Sequence, residues 1–312
     1  MKRVVIIGGG HGQSVILRGI KNIPDIKLSA IVTVADDGGS TGRLRNGYNM
    51  PAMGDIRNVM VSMAESETMM SELMDFRFSG DVDVAGHSLG NLMLTALTQI
   101  SGNFVEAINT FSRVLKVKGD IIPSTTQIVD LIAVMDDGTK VRGESNIPKF
   151  HNRIDHVYYE NKVFATQAAI EAIHNADYIV FGIGSLYTSI MPNLIIEEIS
   201  YAIKKSHARK IYFCNAMSQP GETDHYTLED HVEAIEKHTY QGIIDTVVHH
   251  NNTLHDEVLD YYKEEDSYPV YLRDETHPYK IVYKDLLKFE NNLIRHESGK
   301  IRKAFEEIME EE

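Results

Sequence analysis

The sequence predicts an α/β fold of the doubly wound kind, a mainly parallel sheet with helices on both faces and a small β-rich insertion. Three observations carry that expectation. Short apolar runs rich in β-branched residues recur at 4–7, 28–34, 178–181, 211–214 and 247–250; solidly apolar runs suit strands buried on both faces, hence parallel ones. Between them lie segments with the three-to-four spacing of amphipathic helices. Two of the runs end in glycine-bearing turns, GGGHG at 8–12 and GIGS at 182–185, each leading into a helical pattern. Strand, glycine turn and helix in that order aim backbone N–H groups and a helix N-terminus at an anion.

Taken in order, residues 4–7 (VVII) read as a central strand, and Val15, Ile16, Leu17 and Ile20 mark the helix after the first glycine turn. The strand at 28–34 completes a βαβ unit. Helices are expected at 55–64, where Ile56, Val59, Met60 and Met63 share a side, at 69–78, from 92 to 100, and over 104–117. Residues 131–135 and 140–142, separated by Asp136-Asp137-Gly138, read as a β-hairpin, and 153–159 as a further strand. The stretch of about 120–164 is therefore the β-rich insertion or small lobe. The α/β pattern resumes with a helix at 166–176, the strand at 178–181, a helix opened by Pro192-Asn193 and running to about 205, and the strand at 211–214. A helix over 227–238 starts with the Thr-x-x-Asp of a capping box. A charged amphipathic helix occupies 298–312. No repeat or Gly/Ser-rich linker divides the chain, so one α/β domain over 1–312 is expected, with the lobe embedded in it.

Composition narrows the function. Of 312 residues 43% are hydrophobic and 24% charged, ordinary for a globular chain. Forty-five acids against 31 bases give a formal charge of -14, which argues against nucleic-acid or anionic-membrane binding. No segment approaches 18 apolar residues, so no membrane insertion is expected. A single cysteine, Cys214, excludes an intrachain disulfide. The opening apolar run of four residues is too short for a signal-peptide core, and a cytoplasmic setting is expected.

The densest chemistry lies in 32–58, VTVADDGGSTGRLRNGYNMPAMGDIRN. An apolar run ends in Asp36 and Asp37. Gly38, Gly39, Ser40 and Thr41 follow, then Arg43 and Arg45, and after a Pro/Gly loop Asp55 and Arg57. No core needs that composition. A phosphorylated ligand does: donors for oxygens, acids for a hydroxyl or a metal, and glycines that let backbone approach. The first turn does not follow the dinucleotide spacing G-x-G-x-x-G, because Gln13 takes the third glycine's place, although Asp36 ends the second strand as a ribose-binding acid does. Asp55 reads as a helix cap, a ligand contact, or both.

Other motifs are weaker. GHSLGN at 86–91 contains G-x-S-x-G, the nucleophile elbow of serine hydrolases, but the stretch before it is short and acidic for a central strand. His87 and Asn91 are placed at the mouth of the ligand cleft instead. The second DDG, at 136–138, lacks an arginine cluster and reads as a turn. His249, His250 and His255 match no zinc-site spacing. Arg295, Lys300, Arg302 and Lys303 read first as a solvated face and second as a ligand or partner contact.

With GGGHG, VTVADDGGSTGRLR, GDIRN, GHSLGNLML, GIGSLYTSIMPNL and QPGET placed, the chain resembles the CofD-like superfamily, and within it the YvcK-type gluconeogenesis factors, relatives of 2-phospho-L-lactate transferase. The resemblance runs nearly end to end. It implies a Rossmann-like core, a nucleotide-containing ligand of the UDP-sugar type, a homodimer, and a cytoplasmic role in cell shape and growth on gluconeogenic carbon sources. No cofactor is required under that reading. The transferase branch uses a divalent metal such as Mg2+, and its metal-binding acids map onto Asp37 and Asp55. Where that branch carries an aromatic residue after the paired acids, this chain has Gly38-Gly39-Ser40.

The expected division of labour follows. Backbone N–H groups at Gly9, Gly10, Gly12, Gly184 and Ser185 face phosphates, with Gly39 and Ser40 in the acid-pair loop beside them. Asp37 and Asp55 hold a metal or a sugar hydroxyl. Arg43, Arg45 and Arg57 neutralise pyrophosphate, while His87, Asn91 and Asn193 orient the ligand. A regulatory nucleotide-sugar binder acting on an unidentified protein partner, without catalytic residues, is the leading expectation. A metal-dependent transferase acting on a nucleotide-linked substrate is the alternative, and an NAD(P)-binding protein or serine hydrolase stands third.

Overall fold

The computed structural model describes residues 1–65, 69–273, 275–290 and 293–311. Strand β1 (Lys2–Gly8) leads through α1 (Gly10–Ile20) to β2 (Ile26–Val32). Five helices follow: α2 (Gly39–Tyr48), α3 (Gly54–Met63), α4 (Met69–Asp75), α5 (Leu89–Ser101) and α6 (Phe104–Val114). After β3 (Asp120–Pro123) come β4 (Leu131–Met135), β5 (Lys140–Arg142), a 3-10 helix (Glu144–Phe150) and β6 (Ile154–Tyr159). Then run α7 (Gln167–His174), β7 (Tyr178–Phe181), a π-helical turn (Leu186–Ile190), α8 (Met191–Leu194), α9 (Glu197–Lys205) and β8 (Arg209–Phe213). The chain closes with α10 (Leu228–His238), β9 (Thr246–His250), α11 (Asp256–Glu264), β10 (Lys280–Lys284), a hairpin of β11 (Leu287–Glu290) and β12 (Leu293–His296), and α12 (Ser298–Glu310).

Seven strands form one sheet in the order β10-β9-β8-β7-β1-β2-β3, and every neighbouring pair is parallel. The fold is the Rossmann-like, doubly wound α/β architecture that the apolar runs predict. Because successive side chains alternate across a strand, β1 feeds two cores. Val4 and Ile6 join Ile16, Leu17, Ile56 and Phe305 on the face covered by α1, α3 and α12. Val5 and Ile7 join Leu186, Leu194 and Ile199 on the other face. All of these side chains are fully buried or nearly so.

Three local differences from the sequence reading have physical causes. Strand β3 pairs with β2 in the main sheet, so only β4, β5 and β6 make the separate antiparallel sheet of the lobe. The helix expected at 69–78 stops at Asp75 and gives way to a loop with left-handed Gly80 and Gly86. Helix α2 went unread because its glycines depress helix propensity; a β-carbon on Gly42 would overlap the Asp37 carbonyl oxygen, so close backbone packing requires the residue.

The chain order reverses between β1 and β7, and ligands of open parallel sheets bind in the crevice beyond the carboxyl ends at such a reversal. Here the first turn of α1 lies directly on the turn after β7: a β-carbon on Gly12 would overlap the Ile183 carbonyl oxygen. Gln13, standing where the dinucleotide pattern has glycine, is buried and donates from Nε2 to the carbonyls of Ile6 and Ile31, each at 3.0 Å, tying α1 to β1 and β2. Gly12→Ala is expected to lower stability by roughly 1–3 kcal/mol through overpacking against backbone, read as an earlier urea midpoint; an unchanged midpoint would show that the two turns part freely.

Candidate functional site

The site is built from segments that the sheet brings together at its carboxyl end. The α1 turn and the β7 turn form one wall of a cleft of about 670 Å³, lined by Gly9, His11 and Gly12 and by Ile183, Gly184, Ser185 and Ser189. Asn215 to Pro220, after β8, line it too, as do Tyr261, Tyr262, Arg295 and His296. Asn215 fixes the second turn, with Nδ2 donating to the Gly184 carbonyl at 2.9 Å and Oδ1 accepting its N–H at 3.4 Å. A larger groove, about 860 Å³, opens at the other end of β1 to β3 between α6 and α7 and carries none of the glycine turns.

Beside the cleft stands a cluster of carboxyl groups. Asp55, in the first turn of α3, covers the start of α1, where a β-carbon on Gly9 would overlap its carboxylate. Burial, then the charge of Asp36, pushes the Asp55 carboxyl up to about 7. Asp36 itself accepts the Gly38 N–H at 2.8 Å, and burial raises it too. Glu144, on the lobe, is pushed up to about 8 by burial and by Asp36, Asp55, Glu222 and Asp37. Glu222, from the QPGET loop, is almost fully buried, accepts from the Ser185 hydroxyl, and is raised to about 7 by its burial.

The expected residues divide by position. Gly9, Gly12, Gly184 and Ser185 line the cleft, and Gly10 lies under Asp55. Asp37 does not face Asp55: its carboxylate accepts the Ser145 N–H at 2.9 Å and lies against Gly143 in the lobe. Asp36 is the acid that bears on Asp55. The three arginines are not on the cleft wall either. Buried Arg45 is ion-paired with Asp130 at the edge of the lobe. Buried Arg57 donates to Asn58 Oδ1 at 2.6 Å and lies 3.7 Å from Asp75. Arg43 is exposed and donates to the Ala85 carbonyl at 2.7 Å. Among the cleft's lining residues the guanidinium is that of Arg295.

The remaining polar residues form supports. Ser40 and His87 Nδ1 are 2.9 Å apart, and Asn91 Nδ2 donates to Ser40 at 3.2 Å and to Thr41 at 3.4 Å, binding α2 to α5 behind the acid loop. Burial and nearby Arg43 lower the His87 pKa, favouring its neutral form. Gly39 stands exposed at the start of α2. Asn193 is fully buried and donates to the Gly8 and Ser189 carbonyls, each at 2.9 Å, so it pins the end of β1 to the second turn. Ser88 is fully buried, and its hydroxyl accepts the Asn91 N–H at 3.3 Å as the cap of α5. The G-x-S-x-G match is thus a helix start, with no exposed nucleophile.

Glu144, Glu222, His11 and Asn215 were not singled out from the sequence, and Arg295, read there as part of a solvated face, lines the cleft. QPGET entered as one of the segments that carry the family resemblance, with no role given to its glutamate, and Glu144 sits among ordinary loop residues. Oxygen donors alone make up the acid cluster, which suits a hard divalent cation such as Mg2+. Among the described residues, however, no three carboxyls of this cluster bring ligand oxygens within 4.8 Å of one another, so the protein offers at most two of its acids to one ion.

Comparison with known proteins follows the same geometry. Residues 4–287 match the family model described as 2-phospho-L-lactate transferase CofD. A Bacillus subtilis protein called gluconeogenesis factor is 41% identical over 313 residues, covering 99% of this chain and 98% of its own length. One of the same name from Halalkalibacterium halodurans is 43% identical over 309 residues, covering 97% and 95%. The crystal structure of a UPF0052-family protein from Bacillus halodurans superposes with a TM-score of 0.93 at 42% identity, over 97% of this chain and 99% of that one.

Raised carboxyls make stability depend on pH. The folded chain holds protons on Asp55, Glu144 and Glu222 up to about 7 or 8, whereas unfolded carboxyls release them near pH 4. The folded state therefore binds more protons across that window, and stability falls as pH rises through it. Urea midpoints should be lower at pH 8 than at pH 6, and Glu144→Gln should flatten the slope; an unaltered slope would remove Glu144 from the cluster. Ser88→Ala is expected to cost about 1 kcal/mol as a lost helix cap, and a fluorophosphonate probe should leave Ser88 unlabelled.

Proposed function

The chain belongs to the CofD family, and from that premise we propose that it is a cytoplasmic regulatory protein that binds a UDP-sugar in the cleft at the sheet's carboxyl end. Through a protein partner it would act in growth on gluconeogenic carbon sources and in cell shape, as a homodimer. The observation that carries this reading is the shared wall: two glycine-bearing turns and the N-terminus of α1 meet on one cleft of about 670 Å³, within the range of small-ligand pockets. The first-turn N–H groups of α1 and the Gly184–Ser185 turn suit the oxygens of a diphosphate. Arg295, His11, Asn215 and Gln219, which also line the cleft, suit the sugar and base.

Asp55 stands over the same helix start that would take a phosphate. Two anions there repel unless a cation lies between them. Asp36 and Asp55 would hold a magnesium ion together with oxygens of the bound diphosphate, whose charge the ion would neutralise. The chain's own residues then orient the ligand: the turns supply N–H groups, and the Ser185–Glu222 bond keeps the second turn in place.

A transferase reading shares this site. Asp55 and Glu144, with carboxyls near 7 and 8, are poised to exchange a proton near neutral pH, as general acids and bases are. Magnesium-dependent turnover of a nucleotide-linked donor, lost in Asp55→Asn, would favour it over the regulator.

Titration calorimetry with UDP-N-acetylglucosamine and magnesium tests the binding. The wild type is expected to bind, and Arg295→Ala to weaken affinity about tenfold, the effect of one lost charge-assisted hydrogen bond. No heat from any UDP-sugar would sink the proposal.

A further inference from the structure

Away from the cleft, where α10 meets the segment that leads to β10, Glu229, Glu275 and His277 each bring a ligand atom within 4.8 Å of the other two. We propose that these three residues bind a divalent transition-metal ion of the zinc class, and that the ion fastens Glu275 and His277 to α10 beside the outermost strand.

Glu229 supplies the decisive observation. It lies in the first turn of α10 and is only 2% exposed. Its Oε2 accepts the Arg273 N–H at 3.0 Å, while its Oε1 is buried with no hydrogen-bond partner. That oxygen points at His277 Nε2, 3.4 Å away. Two donors on a tetrahedral zinc with bonds of about 2.0–2.1 Å stand about 3.3–3.4 Å apart. The pair already has the separation that a shared ion imposes.

Charge argues the same way. Arg273 is within 4 Å of carboxylates on Glu229, Asp230, Glu233 and Glu275, at 3.6, 3.7, 2.5 and 3.7 Å. One guanidinium thus faces four acids, which leaves a surplus of negative charge. Arg273 is committed most closely to Glu233, leaving Glu229 Oε1 and Glu275 to a second cation. An imidazole with two carboxylates favours zinc and its neighbours over magnesium or calcium, which prefer oxygen alone. The competing arrangement is a bare ion pair between protonated His277 and Glu229.

The test uses the full chain stripped of metal and titrated with zinc chloride by calorimetry. The wild type should take up one zinc ion. Glu275→Gln, at an exposed position, and His277→Gln, at a largely buried one, should each weaken that uptake roughly tenfold or more. Asp55→Asn, altered in the distant acid cluster, should retain it. Zinc should also raise the thermal midpoint of the wild type and of Asp55→Asn but not of the two variants, since a ion bound only to the folded chain stabilises it. No zinc uptake at micromolar concentration, equal uptake by the His277 and Glu275 variants, or loss of uptake in Asp55→Asn would each overturn the assignment. A merely unstable variant is recognised by its metal-free melting curve, and the other variant then decides.

Discussion

The molecule turns on one steric constraint: the first turn of α1 and the carbonyl of Ile183 occupy neighbouring space with no room for a side chain at Gly12. Everything at the carboxyl end of the sheet takes its position from that contact. It sets the separation of the two turns that form the cleft wall. Asn193, bound to the Gly8 carbonyl, and Gln13, bound to Ile6 and Ile31, hold the turns from behind. A phosphate-binding surface made of backbone has to be rigid, because its donors cannot swing to meet a ligand as long side chains do.

On that rigid wall the protein places charge against its own interest. Asp36, Asp55, Glu144 and Glu222 come from four different segments; burial raises the proton affinity of each, and the charge of Asp36 adds to it at Asp55 and Glu144. Guanidinium charge relieves only part of the crowding: Arg45 lowers the Asp36 carboxyl and Arg57 that of Asp55, yet both acids stay raised. Arg45 and Arg57 are near in space but spent on Asp130, Asn58 and Asp75. Structural ion pairs neutralise their members, whereas a group of acids left partly unneutralised is the usual mark of a site whose counter-charge arrives with a ligand.

How much of this was legible in the sequence follows from what each signal measures. Apolar runs report burial on both faces, so the parallel sheet could be read directly, and the glycine turns stood out because each ends such a run. Gly12 and Ser185 were picked out from those turns, and both line the cleft. Spacing could not reveal which of two adjacent acids turns inward. Asp37 is drawn away by the Ser145 N–H, an interaction with a residue 108 positions later. Arginines beside acids in the sequence looked like ligand contacts, yet Arg45 packs against Asp130 of the lobe. Glu144 and Glu222 owe their importance wholly to tertiary placement. The region of α11, β10 and the final hairpin gave little signal, since α11 buries no residue fully and the strands there are short and mostly exposed.

Strands β1 and β7 are neighbours in space but are separated by the whole of α1 to α7 in the chain. During synthesis, N-terminal segments fold first as they emerge. The glycine turn after β1 must therefore wait, bare on one side, until the second turn and its following helix have left the ribosome. Glu222 is later still. On the proposed reading, a partly made chain would have no complete cleft to grip a ligand, and binding would report completion of the sheet.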